Sequence, residues 1–218
     1  MQGDVEPNEE GMPSDVAGII PRVLSRLFHR LEDEVSDYSV KISFLELYNE
    51  ELRDLLASDV AVSQGEMQSM GSREPGGLKI FDENSKKGVM VMGLEEHGAR
   101  DEKEAMRILI KGSQRRQIAS TKLNLHSSRS HSIFTITVHT KETSSKGEDL
   151  VRTGKLNLVD LAGSESIGRS GAENMRAKEA GMINQSLLTL GRVINSLVDK
   201  TPHIPYRWVF DTLLYPVC

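Results

Sequence analysis

The chain has 218 residues, of which 38% are hydrophobic and 27% are charged, a composition typical of a globular protein with one hydrophobic core. No apolar run is long enough to span a membrane, and the first residues do not resemble a signal peptide. The single cysteine, Cys218, excludes a disulfide within the chain and a thiolate metal site, which favours a cytosolic or nuclear protein.

The formal net charge of -5 is unevenly distributed along the chain. Residues 1–57 carry 13 acidic and 5 basic side chains, whereas residues 150–207 carry 5 acidic and 8 basic side chains. Either this asymmetry is ordinary surface variation, or the C-terminal part presents a basic face to an acidic partner. Charge alone does not distinguish nucleic acid from an acidic protein as that partner.

The N-terminal part predicts a loop, a helix and a strand. Residues 1–16 are acidic and rich in turn formers, which indicates an exposed loop. Apolar residues then recur with helical spacing from Ile20 to Leu31, and alternation from Tyr38 to Phe44 predicts a strand. The strand is expected to lead into a short helix that ends near Leu56. The polar stretch 57–77 predicts a long loop.

The middle of the chain predicts a hairpin and a second helix. Residues 78–81 and 89–92 are apolar runs joined by a polar turn, a pattern typical of a β-hairpin. Asp101 and Glu104 have the spacing of a capping box, so a helix is expected to begin there and to run through Gly112.

The C-terminal half predicts two paired strands and a helix. Apolar residues alternate from Phe134 to Val138, which predicts a strand. A turn is expected at residues 145–147, and the chain after it is expected to pair with this strand through Leu156 and Leu158. Helical spacing returns from Leu187 to Val198. Because helices and strands mix without strict alternation, the predicted fold is one α/β domain on a mixed sheet.

A carboxylate follows the last predicted strand. Asp160-Leu161-Ala162-Gly163-Ser164-Glu165 comes directly after the apolar run 156–159, so Asp160 is expected at the C-terminal end of a buried strand. Such a carboxylate can hold Mg²⁺ through water, and a glycine amide can donate to a terminal phosphate. The alternative is an aspartate that merely caps the following turn.

A run of hydroxyl side chains precedes the strand that contains Phe134. Ser127, Ser128 and Ser130 surround Arg129, a combination suited to a metal–phosphate centre. The alternative is a serine-rich connector with a solvated arginine. His126 and His131 in the same run are expected to be structural, since no third ligand accompanies them at metal-binding spacing.

Together these runs resemble the two nucleotide switches of the kinesin motor family. The core Asn-x-x-Ser-Ser-Arg also occurs in myosins, but Ser130-His131 follows it here as in kinesins. The resemblance implies that Ser127 and Ser128 serve Mg²⁺ and the terminal phosphate of ATP, with Mg²⁺ on Ser127, and that Asn124 orders the attacking water.

The resemblance also implies roles for residues of the second switch. Asp160 would reach Mg²⁺ through water, and the Gly163 amide would sense the γ-phosphate. Glu165 would pair with Arg129 across the two switches. The implied fold is a kinesin-type motor core, with a mixed central β-sheet flanked by helices, related to the P-loop NTPases.

A third kinesin-like run, His203-Ile204-Pro205-Tyr206-Arg207, follows the predicted helix at 187–198. In kinesins this region belongs to the surface that grips the microtubule, so tubulin becomes the expected acidic partner. The residues implied in microtubule binding are Lys178, Asn184, Arg192, Lys200, His203, Tyr206 and Arg207.

The resemblance is partial. It covers residues 17–207, whereas residues 208–218 match nothing expected of the family. The chain contains no G-x-x-x-x-G-K-[ST] phosphate loop, so we expect it to be a motor domain entered after that loop and inactive alone. The segments 18–22 and 163–172 are most similar to the bipolar mitotic kinesins, the kinesin-5 subfamily, and to fungal members in particular.

The expected function is therefore a microtubule-based motor that hydrolyses ATP, acts with Mg²⁺ in the cytoplasm on the cytoskeleton and mitotic spindle, and forms homo-oligomers through a stalk. The alternative class is a non-catalytic microtubule-binding or protein-interaction fragment, since half of the nucleotide pocket is lacking.

Overall fold

A five-stranded antiparallel sheet and two long helices organise the chain. The structure is a computed structural model that describes residues 1, 3, 13–48, 51–58, 78–82, 89–121, 130–143, 147–163, 187–188 and 190–201. The elements are α1 (Ile19–Glu34), β1 (Tyr38–Tyr48), β2 (Glu51–Asp54), β3 (Lys79–Asp82), β4 (Val89–Met92), β5 (His97–Ala99), α2 (Glu102–Thr121), β6 (His131–Thr143) and β7 (Asp149–Asp160). Residues 187–188 and 190–198 are also helical.

The sheet runs in the order β2-β1-β6-β7, with β5 paired to β1, and every described pairing is antiparallel. The predicted hairpin is confirmed, since β3 and β4 pair antiparallel, and it forms a separate two-stranded sheet. The predicted pairing of the C-terminal strands is confirmed, because Phe134 lies opposite Leu158 and Ile136 opposite Leu156. The α/β fold class is thus confirmed. Among the described residues, no helix is both long and apolar enough to cross a membrane.

The core lies between the helices and one face of the sheet. Helix α1 buries the predicted apolar stripe, with Leu24 and Phe28 almost fully inaccessible. Alternate residues of β1 and β6 meet it, and the rings of Phe44 and Phe134 form an edge-to-face pair with centroids 5.2 Å apart. Gly112 lets α2 approach closely, since a Cβ there would lie 2.4 Å from the Phe44 ring.

The predicted helix between Glu46 and Leu56 is wrong. Strand β1 continues to Tyr48 and β2 returns antiparallel to it, with Leu47 opposite Leu52. Leu and Glu favour helices locally, but the ladder between β1 and β6 holds these residues extended as far as Leu47 opposite His131. Tertiary pairing therefore overrides local propensity here.

The predicted start of α2 is confirmed, whereas the helix runs further than predicted. Asp101 Oδ1 accepts the N–H of Glu104 at 2.7 Å, and Glu104 Oε2 accepts the N–H of Arg100 at 2.9 Å. The helix passes through Gly112 and ends at Thr121.

The prediction that Asp160 follows a buried strand is only half right. Asp160 is the last residue of β7, as expected. However, β7 is the terminal strand of the described sheet, and Leu156 is 42% exposed. Within the described residues, β6 is the only strand that pairs with β7.

Candidate functional site

A buried arginine connects α2 to the ends of β6 and β7. Arg116 is only 6% exposed, and its Nη1 lies 2.9 Å from Asp160 Oδ2. Its Nη2 donates to the carbonyl oxygen of Ser130 at 3.1 Å. The guanidinium thus joins the residue that precedes β6 to the last residue of β7, and charge-assisted bonds of this length are the strong ones.

A second carboxylate completes this polar cluster from β1. Glu46 is 3% exposed, and its Oε1 lies 3.6 Å from Arg116 Nε. The Ser130 hydroxyl donates to the same Oε1 at 2.7 Å. A buried carboxylate is tolerated only where a cation and hydrogen-bond donors compensate its lost hydration, and Arg116 and Ser130 supply both.

His131 binds the backbone just after Asp160. Its Nδ1 accepts the backbone N–H of Ala162 at 3.1 Å, so this nitrogen carries no proton in the bond. Burial lowers the pKa of the His131 imidazole, and the nearby Arg116 guanidinium lowers it further, while Asp160 opposes them. The neutral ring is therefore favoured, and the structure gives His131 the structural contact expected of it.

The described residues include only part of the predicted switch site. Asp160 is the last residue of β7, and Gly163 lies three residues beyond it. The other predicted catalytic residues lie outside the described residues; they are Asn124, Ser127, Ser128, Arg129 and Glu165.

Sequence reasoning misses Glu46 and Arg116. The local pattern places Glu46 in a helix that does not exist, and it leaves Arg116 beyond the expected end of α2. An unbroken helical pattern past Gly112 is the signal that could have found Arg116.

Of the two residues predicted to hold Mg²⁺, only Asp160 is among the described residues. The Asp160 side chain is 34% exposed, so part of its carboxylate reaches solvent while one oxygen is bound to Arg116. Within the described part of the chain, no group of three or more His, Cys, Asp or Glu residues could hold a metal ion. A single carboxylate acting through water is consistent with the preference of Mg²⁺ for retaining its own waters.

Two residues predicted to bind microtubules are described, and both are exposed. Arg192 lies on the outer side of the helical segment 190–198, whose Val193 is fully buried. Lys200 ends this helix in a left-handed conformation with φ of 50°. The remaining predicted residues of this surface lie outside the described ranges; they are Lys178, Asn184, His203, Tyr206 and Arg207.

Comparison with known proteins gives a consistent picture. A family model described as the kinesin motor domain matches residues 1–211. Kinesin-like protein KIF11 of Mus musculus is 52% identical over 210 residues, which are 95% of this chain and 19% of the mouse protein. Kinesin-like protein bimC of Emericella nidulans is 56% identical over 210 residues, which are 95% of this chain and 16% of that protein.

The chain thus spans less than a fifth of the length of these curated relatives, which belong to the predicted kinesin-5 group. A solved structure of a fast kinesin, studied for its ATPase mechanism and its interactions with microtubules, matches with a TM-score of 0.76 and 35% identity. That match covers 98% of this chain and 55% of the other. A match to the family model over nearly the whole sequence, supported by relatives and by fold, shows that this chain belongs to the kinesin motor domain family.

Proposed function

We propose that the chain is part of a microtubule motor of the kinesin-5 group that couples ATP hydrolysis to movement along microtubules in the mitotic spindle. The observation that carries this proposal is the anchoring of the segment from Asp160 to Gly163, in which Arg116 binds the Asp160 carboxylate and His131 binds the Ala162 amide. A family member whose switch aspartate is fixed in this way has the fixed geometry that a phosphate sensor needs.

Within this proposal, the chain's own residues position one carboxylate and one amide. Asp160 would hold Mg²⁺ through water, and Gly163 would donate its N–H to the terminal phosphate. Bound Mg²⁺ supplies charge neutralisation at the phosphates of ATP. Arg116 keeps the Asp160 carboxylate at the strand end, and the Ala162 bond to His131 sets the course of the backbone towards Gly163.

The first switch is proposed from the family resemblance. Ser127 and Ser128 would serve Mg²⁺ and the terminal phosphate, and Asn124 would order the attacking water. Arg129 would pair with Glu165 when the two switches meet. Oligomerisation through a stalk and a cytoplasmic location on the spindle cytoskeleton belong to the same proposal for the whole protein.

The microtubule surface is tested by charge reversal. If Arg192 and Lys200 face the acidic lattice, Arg192→Glu and Lys200→Glu should each raise the dissociation constant in co-sedimentation, and added salt should weaken binding. Arg30→Glu is the matched control, since Arg30 is an exposed cation on α1 that pairs with Glu34. Binding that is insensitive to salt and to both reversals would contradict this surface.

A second candidate, a non-catalytic microtubule-binding fragment, is favoured by one observation. The chain lacks a G-x-x-x-x-G-K-[ST] motif, whose backbone amides and lysine supply most contacts to the β- and γ-phosphates. The two candidates are separated by adding such a motif to the same polypeptide and titrating it with a fluorescent ATP analogue and Mg²⁺. The motor proposal predicts binding of the analogue, whereas the non-catalytic candidate predicts none.

A further inference from the structure

One carboxylate joins the chain before the β3–β4 hairpin to the chain after it. Asp54 is the last residue of β2, and its Oδ1 accepts the N–H of Leu56 at 2.8 Å. Its Oδ2 accepts the N–H of Glu95 at 2.8 Å, and Glu95 lies three residues beyond the end of β4. The two oxygens therefore bridge two segments 41 residues apart in sequence.

Glu95 makes the reciprocal connection. Its Oε1 accepts the backbone N–H of Ser58 at 3.3 Å, and the Ser58 hydroxyl donates to Oε2 at 3.3 Å. The His97 ring also approaches this carboxylate, with Nε2 3.4 Å from Oε2. The segment after β2 and the segment after β4 are thus hydrogen-bonded to each other in both directions: Asp54 accepts from Glu95, and Glu95 accepts from Ser58.

An arginine of α2 also binds this loop. Nη1 of Arg115 donates to the carbonyl oxygen of Ala57 and lies 3.4 Å from that of Leu55. The side chains of Leu55 and Leu56 are 4% and 1% exposed, so the loop is also anchored in the main core. Asp54 is consequently attached to a rigid part of the domain.

Apolar contacts place the hairpin on the second face of the sheet. Leu45 and Ile133 are buried there, and the partly buried side chains of Leu78, Val91 and Leu94 pack against them. Strand alternation puts this face opposite the one that α1 and α2 cover. The hairpin therefore contacts the sheet through apolar side chains as well as through the polar bonds of Glu95.

We propose that Asp54, Glu95 and Arg115 form a clamp that sets the position of the β3–β4 hairpin on the sheet. The clamp is local, because its described bonds join the end of β2 and the loop after it to Glu95, just beyond β4, and to α2. Loss of the clamp should therefore release the hairpin at a free-energy cost well below that of global unfolding. The hairpin and the main sheet then form two units of different stability within one domain.

Amide hydrogen exchange of the complete chain tests the clamp. Asp54→Ala should accelerate exchange at Glu95 and at the paired amides of β3 and β4 by tenfold or more, while amides of the β1–β6 ladder change less than twofold. Asp54→Asn should give an intermediate effect, because the amide side chain keeps one of the two acceptor oxygens. Glu51→Gln, at an exposed carboxylate on the same strand, should leave the hairpin unchanged.

Two results would overturn the proposal. Unchanged exchange in β3 and β4 would show that the clamp does not position the hairpin. Equal acceleration in the hairpin and in the β1–β6 ladder would show that Asp54 acts only through global stability. If Asp54→Ala does not fold, Glu95→Ala provides the same comparison, since the Glu95 carboxylate is partly exposed and lies outside the core.

Discussion

Replacement of Arg116 by methionine tests the polar cluster most directly. The change removes the cation beside Glu46, which is 3% exposed, and leaves that carboxylate with Ser130 as its remaining donor in the cluster. Breaking a buried ion pair from one side costs about 3–5 kcal/mol, a large share of the roughly 5–15 kcal/mol that stabilises a typical domain. Arg116→Met should therefore be among the most destabilising single changes in the chain.

Urea unfolding followed by circular dichroism measures this cost. With a denaturant slope of about 3 kcal/mol/M, the midpoint should fall by about 1–2 M. Arg152→Met is the matched control: Arg152 pairs with Glu142 at 3.7 Å with both side chains more than half exposed, and such pairs contribute about 0–1 kcal/mol.

The double variant Arg116→Met/Glu46→Gln distinguishes an ion-pair effect from lost packing. The glutamine side chain is neutral and could still accept the Ser130 hydroxyl, so the double variant should recover part of the lost stability, while the bonds of Arg116 to Asp160 and to the Ser130 carbonyl stay lost in both variants. A single variant that costs less than about 1 kcal/mol, or a double variant whose cost equals the sum of the two single costs, would refute the reasoning. If the single variant does not fold, the stability of the double variant decides the test.

Other predictions concern pH, packing and nucleotide. Burial lowers the pKa of His131, so on acidification this imidazole is protonated in the unfolded chain at a higher pH than in the folded chain. The free energy of unfolding should therefore fall as pH drops below about 6.5. His131→Asn should flatten this dependence in unfolding experiments at pH 5 and 7. Gly112→Ala should lower the thermal midpoint because its Cβ meets the Phe44 ring at 2.4 Å, whereas Gly191→Ala, with nothing within 4 Å, should not. The chain by itself should show no saturable micromolar affinity for an ATP analogue with Mg²⁺, and competitive micromolar binding would contradict that expectation.

Strongly periodic segments could be predicted from the sequence, and long-range polar pairs could not. The helical stripe of α1 and the opposition of Phe134 to Leu158 follow from patterns within one or two elements. Glu46 and Ser130 are 84 residues apart, and nothing local to either residue indicates their bond. Only the pairing of β1 with β6 brings them together.

The sequence pattern predicts α2 only as far as Gly112, and the rest of the helix carries part of the site. In the structure, Gly112 serves close packing against Phe44, and α2 continues for nine further residues to Thr121. That continuation carries both Arg115 and Arg116 to their partners.

These adjacent arginines give α2 a double role. Successive helical residues differ in direction by about 100°, so Arg115 and Arg116 leave the helix towards different neighbours. Arg115 binds the loop after β2, whereas Arg116 binds Asp160 at the end of β7. Substitutions at the two positions should therefore have separable effects on hydrogen exchange. Arg115→Met should accelerate exchange at the hairpin base, and Arg116→Met/Glu46→Gln should accelerate it around Ala162. Identical exchange profiles for both variants would show that Arg115 and Arg116 do not stabilise separate regions.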